Sequence, residues 1–233
     1  MANNDGESGS LSEAVKSVLA NRNFSGNPYF VALREGHMSL ENFRRSQAQF
    51  FFAVTFFPRP MAALVGRIVD PLRRLDILRN LVEEHGDFDA SRFHHTTFQQ
   101  FLSSLDIDVR QLEHLTLWPE VRAFNSCLSN ACVLDELEVG LACMGIIEQA
   151  FAGISVEIGR SVCARAWVSA EQLVHYRLHA EMDQRHAGEF FAVIEPVWAD
   201  TAKRYLIMQG LELGAYIFER LYRDIFGRLE MAD

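Results

Sequence analysis

Two histidines and an aspartate stand at helical spacing in the stretch His179-Ala-Glu-Met-Asp183-Gln-Arg-His186. It lies inside residues 169–194, which hold no proline and, as their single glycine, Gly188. A helix is the natural expectation there. With 3.6 residues per turn, His179, Asp183 and His186 project from one face. Two imidazoles and a carboxylate so placed form half a site for a first-row transition metal. Such a borderline-to-hard donor set suits iron, manganese, zinc or nickel better than copper(I) or calcium. The plain alternative is a polar helix face with two histidines in solvent.

A metal held from one helix would be open and weakly bound, so further donors are expected on facing helices. Glu148 sits in the apolar run Gly140-Leu-Ala-Cys-Met-Gly-Ile-Ile-Glu148-Gln-Ala-Phe-Ala-Gly. An ionised carboxylate buried without a partner costs several kcal/mol, so Glu148 needs a proton, a cation or a metal, unless it is simply exposed. A second source is Asn80-Leu-Val-Glu83-Glu84-His85-Gly86, followed by Phe93-His94-His95. Spacing alone permits either glutamate and either histidine of the pair. Together the segments offer carboxylates and imidazoles from several helices, the inventory of a dinuclear site in a bundle core.

The elements that must position these residues read as helices nearly throughout. Six prolines and few β-branched alternations argue against a sandwich or barrel, and long runs rich in Leu, Ala, Glu and Arg argue for helix. Residues 1–9 are polar and rich in Gly, Ser and Asn, and are expected to form a flexible tail before one domain spanning residues 10–233. Helices are expected from Ser10 to Asn21, Pro28 to Gly36, Leu40 to Phe57, Met61 to Val69 and Pro71 to Glu84. Further ones follow at Phe93 to Leu105, Val109 to Leu115, Trp118 to Ala131, Leu134 to Trp167, Ser169 to Ile194 and Ala199 to Leu229. The run Phe50 to Phe57 is aromatic on most sides and is expected to be deeply buried.

A net charge of −9 disfavours nucleic acid and anionic membrane as partners. The four cysteines, Cys127, Cys132, Cys143 and Cys163, include no C-x-x-C pair and read as reduced, buried thiols. No apolar run near 18 residues and no signal peptide are apparent, so a cytoplasmic protein is expected.

On these residues the chain resembles the haem-oxygenase-like diiron oxidases and oxygenases, relatives of the TenA and PqqC enzymes and of the chlamydial CADD-type proteins. The resemblance covers nearly the whole chain. It is carried by Asn80-Leu-x-x-Glu84-x-Gly86 as a string, by His94 leading Phe98 and Phe101, by Glu148 in mid-helix, and by His179-x3-Asp183-x2-His186. It implies an all-α, seven-helix bundle holding two irons (or one iron and one manganese), with Glu84, His94, Glu148, His179, Asp183 and His186 as ligands. It also implies O2 as co-substrate, an external reductant, a small-molecule substrate such as an amino acid, amine or carboxylic acid, and a homodimer. His175, one turn before His179, is expected either at the surface or donating to a ligand carboxylate. Phe30, Phe52 and Phe56 are candidates to line the cavity, and Arg165 and Arg177 to anchor a substrate carboxylate. His85 and His95 flank ligands without being ligands, and His37 and His114 carry no signal.

The departures bear on substrate. CADD-like 4-aminobenzoate synthases consume a tyrosine of their own and use a lysine near the irons. Those positions are Phe30, with Tyr29 beside it, and Ile158 here, and the chain's lysines are Lys16 and Lys203. A self-consuming reaction is therefore disfavoured against an external substrate. The other alternative is a metal-free TenA-like hydrolase or PqqC-like oxidase, in which a cysteine could act as nucleophile.

Overall fold

The structure, a computed structural model, describes residues 9–231. Seven of its ten α-helices begin where a side chain or a proline satisfies the first turn. Ser10 and Glu13 cap each other's backbone at α1 (Leu11–Arg22). Asn27 caps α2 (Pro28–Glu35) and Ser39 caps α3 (Leu40–Phe56). Pro58 opens α4 (Pro58–Arg67), and Asp70 accepts from Leu72 and Arg73 at the start of α5 (Pro71–Glu84). There follow α6 (His94–Ser104), α7 (Pro119–Val133), α8 (Leu137–Ala164), α9 (Val174–Ile194) and α10 (Thr201–Glu230), the last capped by Asp200.

Ten α-helices and no strand occur among the described residues, so the chain is all-α. The count exceeds seven partly because Pro58, lacking an N–H, divides one run into α3 and α4. Two expected helical segments are 3-10 turns instead. Val109–His114 is one, and Ala170–Gln172 is the other, so α9 starts at Val174 rather than Ser169. Trp198 Nε1 donates to the Gly9 carbonyl at 2.8 Å; the rest of the expected tail, residues 1–8, lies outside the described residues.

The core is organised around α8, along which α9 and α10 pack. From Val139 to Ala152 every residue except Gln149 is buried, Glu148 included. The helices approach closely: a methyl group at Gly214 of α10 would stand 2.5 Å from the Cys143 carbonyl oxygen of α8. Contrary to expectation, α8 and the α3–α4 run are long and apolar enough, by length and composition, to cross a membrane; α8 is mostly buried inside the molecule. The thiols also differ from expectation, because Cys127 is exposed and Cys163 half-buried. The Phe50–Phe57 run is less enclosed than its composition implies. Phe50 and Phe51 are buried, whereas Phe52, Phe56 and Phe57 are half-buried.

Candidate metal centre

Helix α9 turns His175, His179, Asp183 and His186 to its buried side, at intervals of four, four and three residues. His179 Nδ1 lies 2.7 Å from Asp183 Oδ1. A carboxylate only accepts, so Nδ1 carries the proton and Nε2 keeps its lone pair. Neither His179 Nε2 nor Asp183 Oδ2 has a hydrogen-bond partner.

Helix α5 supplies Asn80 and Glu84 one turn apart, both buried. At its end the backbone reverses through Gly86, Asp87 and Phe88, with φ of 57°, 54° and 69°. Gly86 is required there. A Cβ would lie 2.6 Å from the Arg92 carbonyl carbon, besides the cost of a positive φ. The reversal delivers His94, first residue of α6, to Glu84. His94 Nδ1 stands 2.9 Å from Glu84 Oε1, yet the pair is not aligned as a hydrogen bond.

Glu148 enters from α8. One donor atom each of Glu84, Glu148 and His186 fall within 4.8 Å of one another. The His94 and His179 rings lie 4.5 Å apart between centroids. All six predicted ligands are thus buried, on four helices. Each keeps a buried atom with no hydrogen-bond partner: Glu84 Oε1, His94 Nδ1, Glu148 Oε1, His179 Nε2, Asp183 Oδ2 and His186 Nδ1. A polar atom orphaned in this way costs about 1–3 kcal/mol. Six in one place fit a group that supplies the missing bonds, and the O/N donor set fits iron or manganese.

The electrostatics point the same way. Burial drives the Glu148 carboxyl well above the usual range, and the neighbouring Asp183 and Glu84 carboxylates reinforce it. Burial works against ionised Glu84, but the neighbouring His94, His179 and His186 together outweigh it and take that carboxyl down to about 2. Burial lowers His175 well below its ordinary value. In His179 burial is overcome by Asp183, and the value rises. A cation placed among these carboxylates would relieve their mutual repulsion.

A cavity of about 40 Å³ adjoins the cluster, lined by Glu84, Glu148, His175 and His179 and otherwise by apolar side chains. From α3 and its junction with α4 come Phe50, Ala53, Val54 and Phe57, an i, i+3, i+4, i+7 stripe. Phe52 and Phe56 fall off that stripe and do not line the cavity. Phe30 does not either; its ring packs on Tyr222 at 4.7 Å. The other aromatic walls are Phe124, Phe151 and Phe218, from helices where single phenylalanines gave no signal. His175 is fully buried, not at the surface. It does not donate to a carboxylate: its Nδ1 meets Thr97 Oγ1 at 3.1 Å, and its Nε2 has no partner. Neither arginine reaches the cavity. Arg165 stacks on Trp167 at 3.9 Å, and Arg177 lines an outer groove beside His94 and Glu83. Sequence reasoning left Glu83 among the alternatives for a ligand. The structure sets it outside the cluster, bonded to His186 Nε2 at 2.8 Å.

Comparison with known proteins supplies the family and the fold. Residues 44–217 match the family model described as iron-containing redox enzyme. The chain is 22% identical to a 4-aminobenzoate synthase of Chlamydia muridarum over 221 residues, covering 94% of this chain and 90% of that one. It is 24% identical to a 4-aminobenzoate synthase of Nitrosomonas europaea over 203 residues, covering 82% and 80%. In fold it is similar to a domain of unknown function with a haem-oxygenase-like fold from Shewanella denitrificans, with a TM-score of 0.77, 13% identity and coverage of 95% and 93%. A TenA homologue from P. horikoshii OT3 superposes with a TM-score of 0.70 at 12% identity, covering 93% and 96%. The chain belongs to the iron-containing redox enzyme family, on a haem-oxygenase-like fold.

Proposed function

We propose that this protein is a non-haem diiron oxidase or oxygenase that uses O2 to oxidise a small external organic substrate, an amino acid, amine or carboxylic acid. The observation that carries the reading is the set of six buried donor atoms without protein partners, on Glu84, His94, Glu148, His179, Asp183 and His186. These residues would hold the irons, and a pair of irons there supplies electrons to O2 two at a time. The same donors accept manganese, so an iron–manganese pair belongs to the same reading.

The chain's own contribution is placement and exclusion of water. Phe50, Phe57, Phe151 and Phe218 keep the cavity beside the carboxylates apolar, which strengthens every electrostatic interaction within it. At about 40 Å³ it is sized for O2 or water, so a larger substrate requires side chains such as Phe57 to swing aside. The reductant is external. A cytoplasmic location and a homodimer belong to the proposal, and the −9 charge supports neither nucleic acid nor anionic membrane as a partner.

The names of the curated relatives favour one second reading, a 4-aminobenzoate synthase. Against it stand Phe30 and the fully buried Ile158 at the two positions that reaction uses. Tyr29 is no ready substitute, because its hydroxyl meets Ser46 Oγ and accepts from Gln47 Nε2, both at 2.8 Å, and its ring is not part of the cavity wall. A metal-free cysteine hydrolase is less well supported still, since no cysteine lines the cavity. The test is O2 uptake by iron-loaded, reduced protein offered amino acids, amines and fatty acids, with mass analysis of products. Uptake stimulated by one substrate class supports the proposal. Release of 4-aminobenzoate without added substrate selects the second reading.

A further inference from the structure

Beside the cluster, on its solvent side, four charged or titratable groups form a chain that the proposed chemistry does not use. His186 is fully buried, and its Nε2 lies 2.8 Å from Glu83 Oε2. Arg185 bonds the same Glu83 oxygen through one guanidinium nitrogen and, through the other, Glu189 Oε1 at 2.8 Å. Arg185 is 45% exposed, Glu83 16% and Glu189 10%, so the chain runs from the surface inward to His186. Arg185 also approaches His186 Nε2 at 3.4 Å, too long to compete with the carboxylate.

An ionised carboxylate and a guanidinium leave one solution for the proton. Glu83 can only accept, so His186 Nε2 must donate. In the neutral ring Nδ1 then keeps its lone pair, and Nδ1 is the buried nitrogen without a partner. The alternative tautomer would put two acceptors face to face at 2.8 Å and turn an N–H to the ion. The arginine fixes the carboxylate from outside, and Glu189, one turn further along α9, fixes the arginine.

We infer that Glu83 is a positioning residue for the metal centre: it holds His186 in the Nε2–H tautomer with Nδ1 free to bind, and Arg185, anchored by Glu189, holds Glu83. The inference rests on the diiron reading for its purpose but not for its geometry. Outer carboxylates of this kind are worth about 10–100-fold in metal affinity.

Two measurements test it. The first is the tautomer of His186 in chelator-treated, 15N-histidine-labelled protein, read from long-range proton–nitrogen correlations and assigned by their loss in His186→Gln. Wild type is expected to show Nε2–H, and Glu83→Ala a mixture of tautomers. The second is Fe2+ affinity by competition with a chromophoric chelator. Glu83→Ala should weaken one of the two ions about 10–100-fold. Glu83→Gln, which still accepts from Nε2–H, should recover part of the loss. Should Glu83→Ala fail to fold, Arg185→Gln on the surface is expected to shift both readings in the same direction by a smaller amount. A wild-type Nδ1–H tautomer, or unchanged tautomer and affinity in the variants, overturns the role of Glu83 alone. A wild-type protein that takes up no Fe2+ overturns the diiron reading, and with it the purpose assigned to Glu83.

Discussion

Glu84 and His94 meet at 2.9 Å across two helices without forming an aligned hydrogen bond. A carboxylate oxygen and an imidazole nitrogen that close would normally turn to bond each other. Here the ends of α5 and α6 hold both atoms beside Glu148 and His179, where a third atom could take both lone pairs. The contact exists because the chain reverses through three successive positive-φ residues between the two helices.

That reversal gives the first prediction. Gly86→Ala places a methyl group 2.6 Å from the Arg92 backbone at a φ of 57°. Strain of this kind costs about 1–3 kcal/mol, and relieving it must move His94 relative to Glu84. We expect a lowered Tm together with reduced iron content. Wild-type values for both would show that the turn does not set the site.

Glu148→Ala and His186→Ala each remove one of the three donors that converge within 4.8 Å. Bound iron should be lost while far-UV helicity is retained. Loss of the fold instead would mark these residues as core pairing partners, not metal ligands.

The metal-free protein should show an unusual pH dependence. Glu148 is held well above its ordinary value of 4.5 by burial and by the Asp183 and Glu84 carboxylates. The folded state therefore binds this proton more tightly than the unfolded chain. Its contribution to stability is full below pH 4.5 and is lost as pH rises through the elevated folded value. Glu84 acts oppositely. Its value is down at about 2, so its contribution is present above 4.5 and lost as pH falls towards 2. After chelation, Tm should fall as pH is raised from about 5 to 8, and Glu148→Gln should flatten that fall. An equal slope in wild type and variant would contradict the assignment.

Thiol labelling separates the cysteines. Cys127 is exposed and should react first with an aromatic disulfide, and the half-buried Cys163, its value raised by burial, more slowly. Burial pushes the Cys132 thiol up to about 12, and raises Cys143 well above the ordinary thiol range. Both should label only on unfolding. Fast labelling of Cys143 in the native protein would reopen a cysteine-hydrolase reading.

Most of this architecture was legible in the sequence because it depends on local rules. Ser10 with Glu13, Asn27 with Pro28, and Ser39 announce helix starts by capping chemistry, and Glu148 stands out as one carboxylate in an apolar run. What sequence left open was decided by tertiary packing. Glu83 and Glu84 are adjacent and chemically alike, and only the packing of α5 against α9 turns Glu84 inward and Glu83 towards His186 Nε2. His175 looks like any histidine until α6 covers it with Thr97. Composition marks the aromatic run as a whole but not which of its rings face the cavity. Helical period selects Phe50 and Phe57 from it and leaves Phe52 and Phe56 aside, while Phe124, Phe151 and Phe218 arrive from elsewhere in the chain.

The most direct test is elemental analysis of protein reconstituted anaerobically with Fe2+ and freed of loosely bound ions. The account predicts close to two metal ions per chain, falling in His186→Ala and Glu148→Ala. A chain that retains none, or one whose content is indifferent to those substitutions, would contradict it.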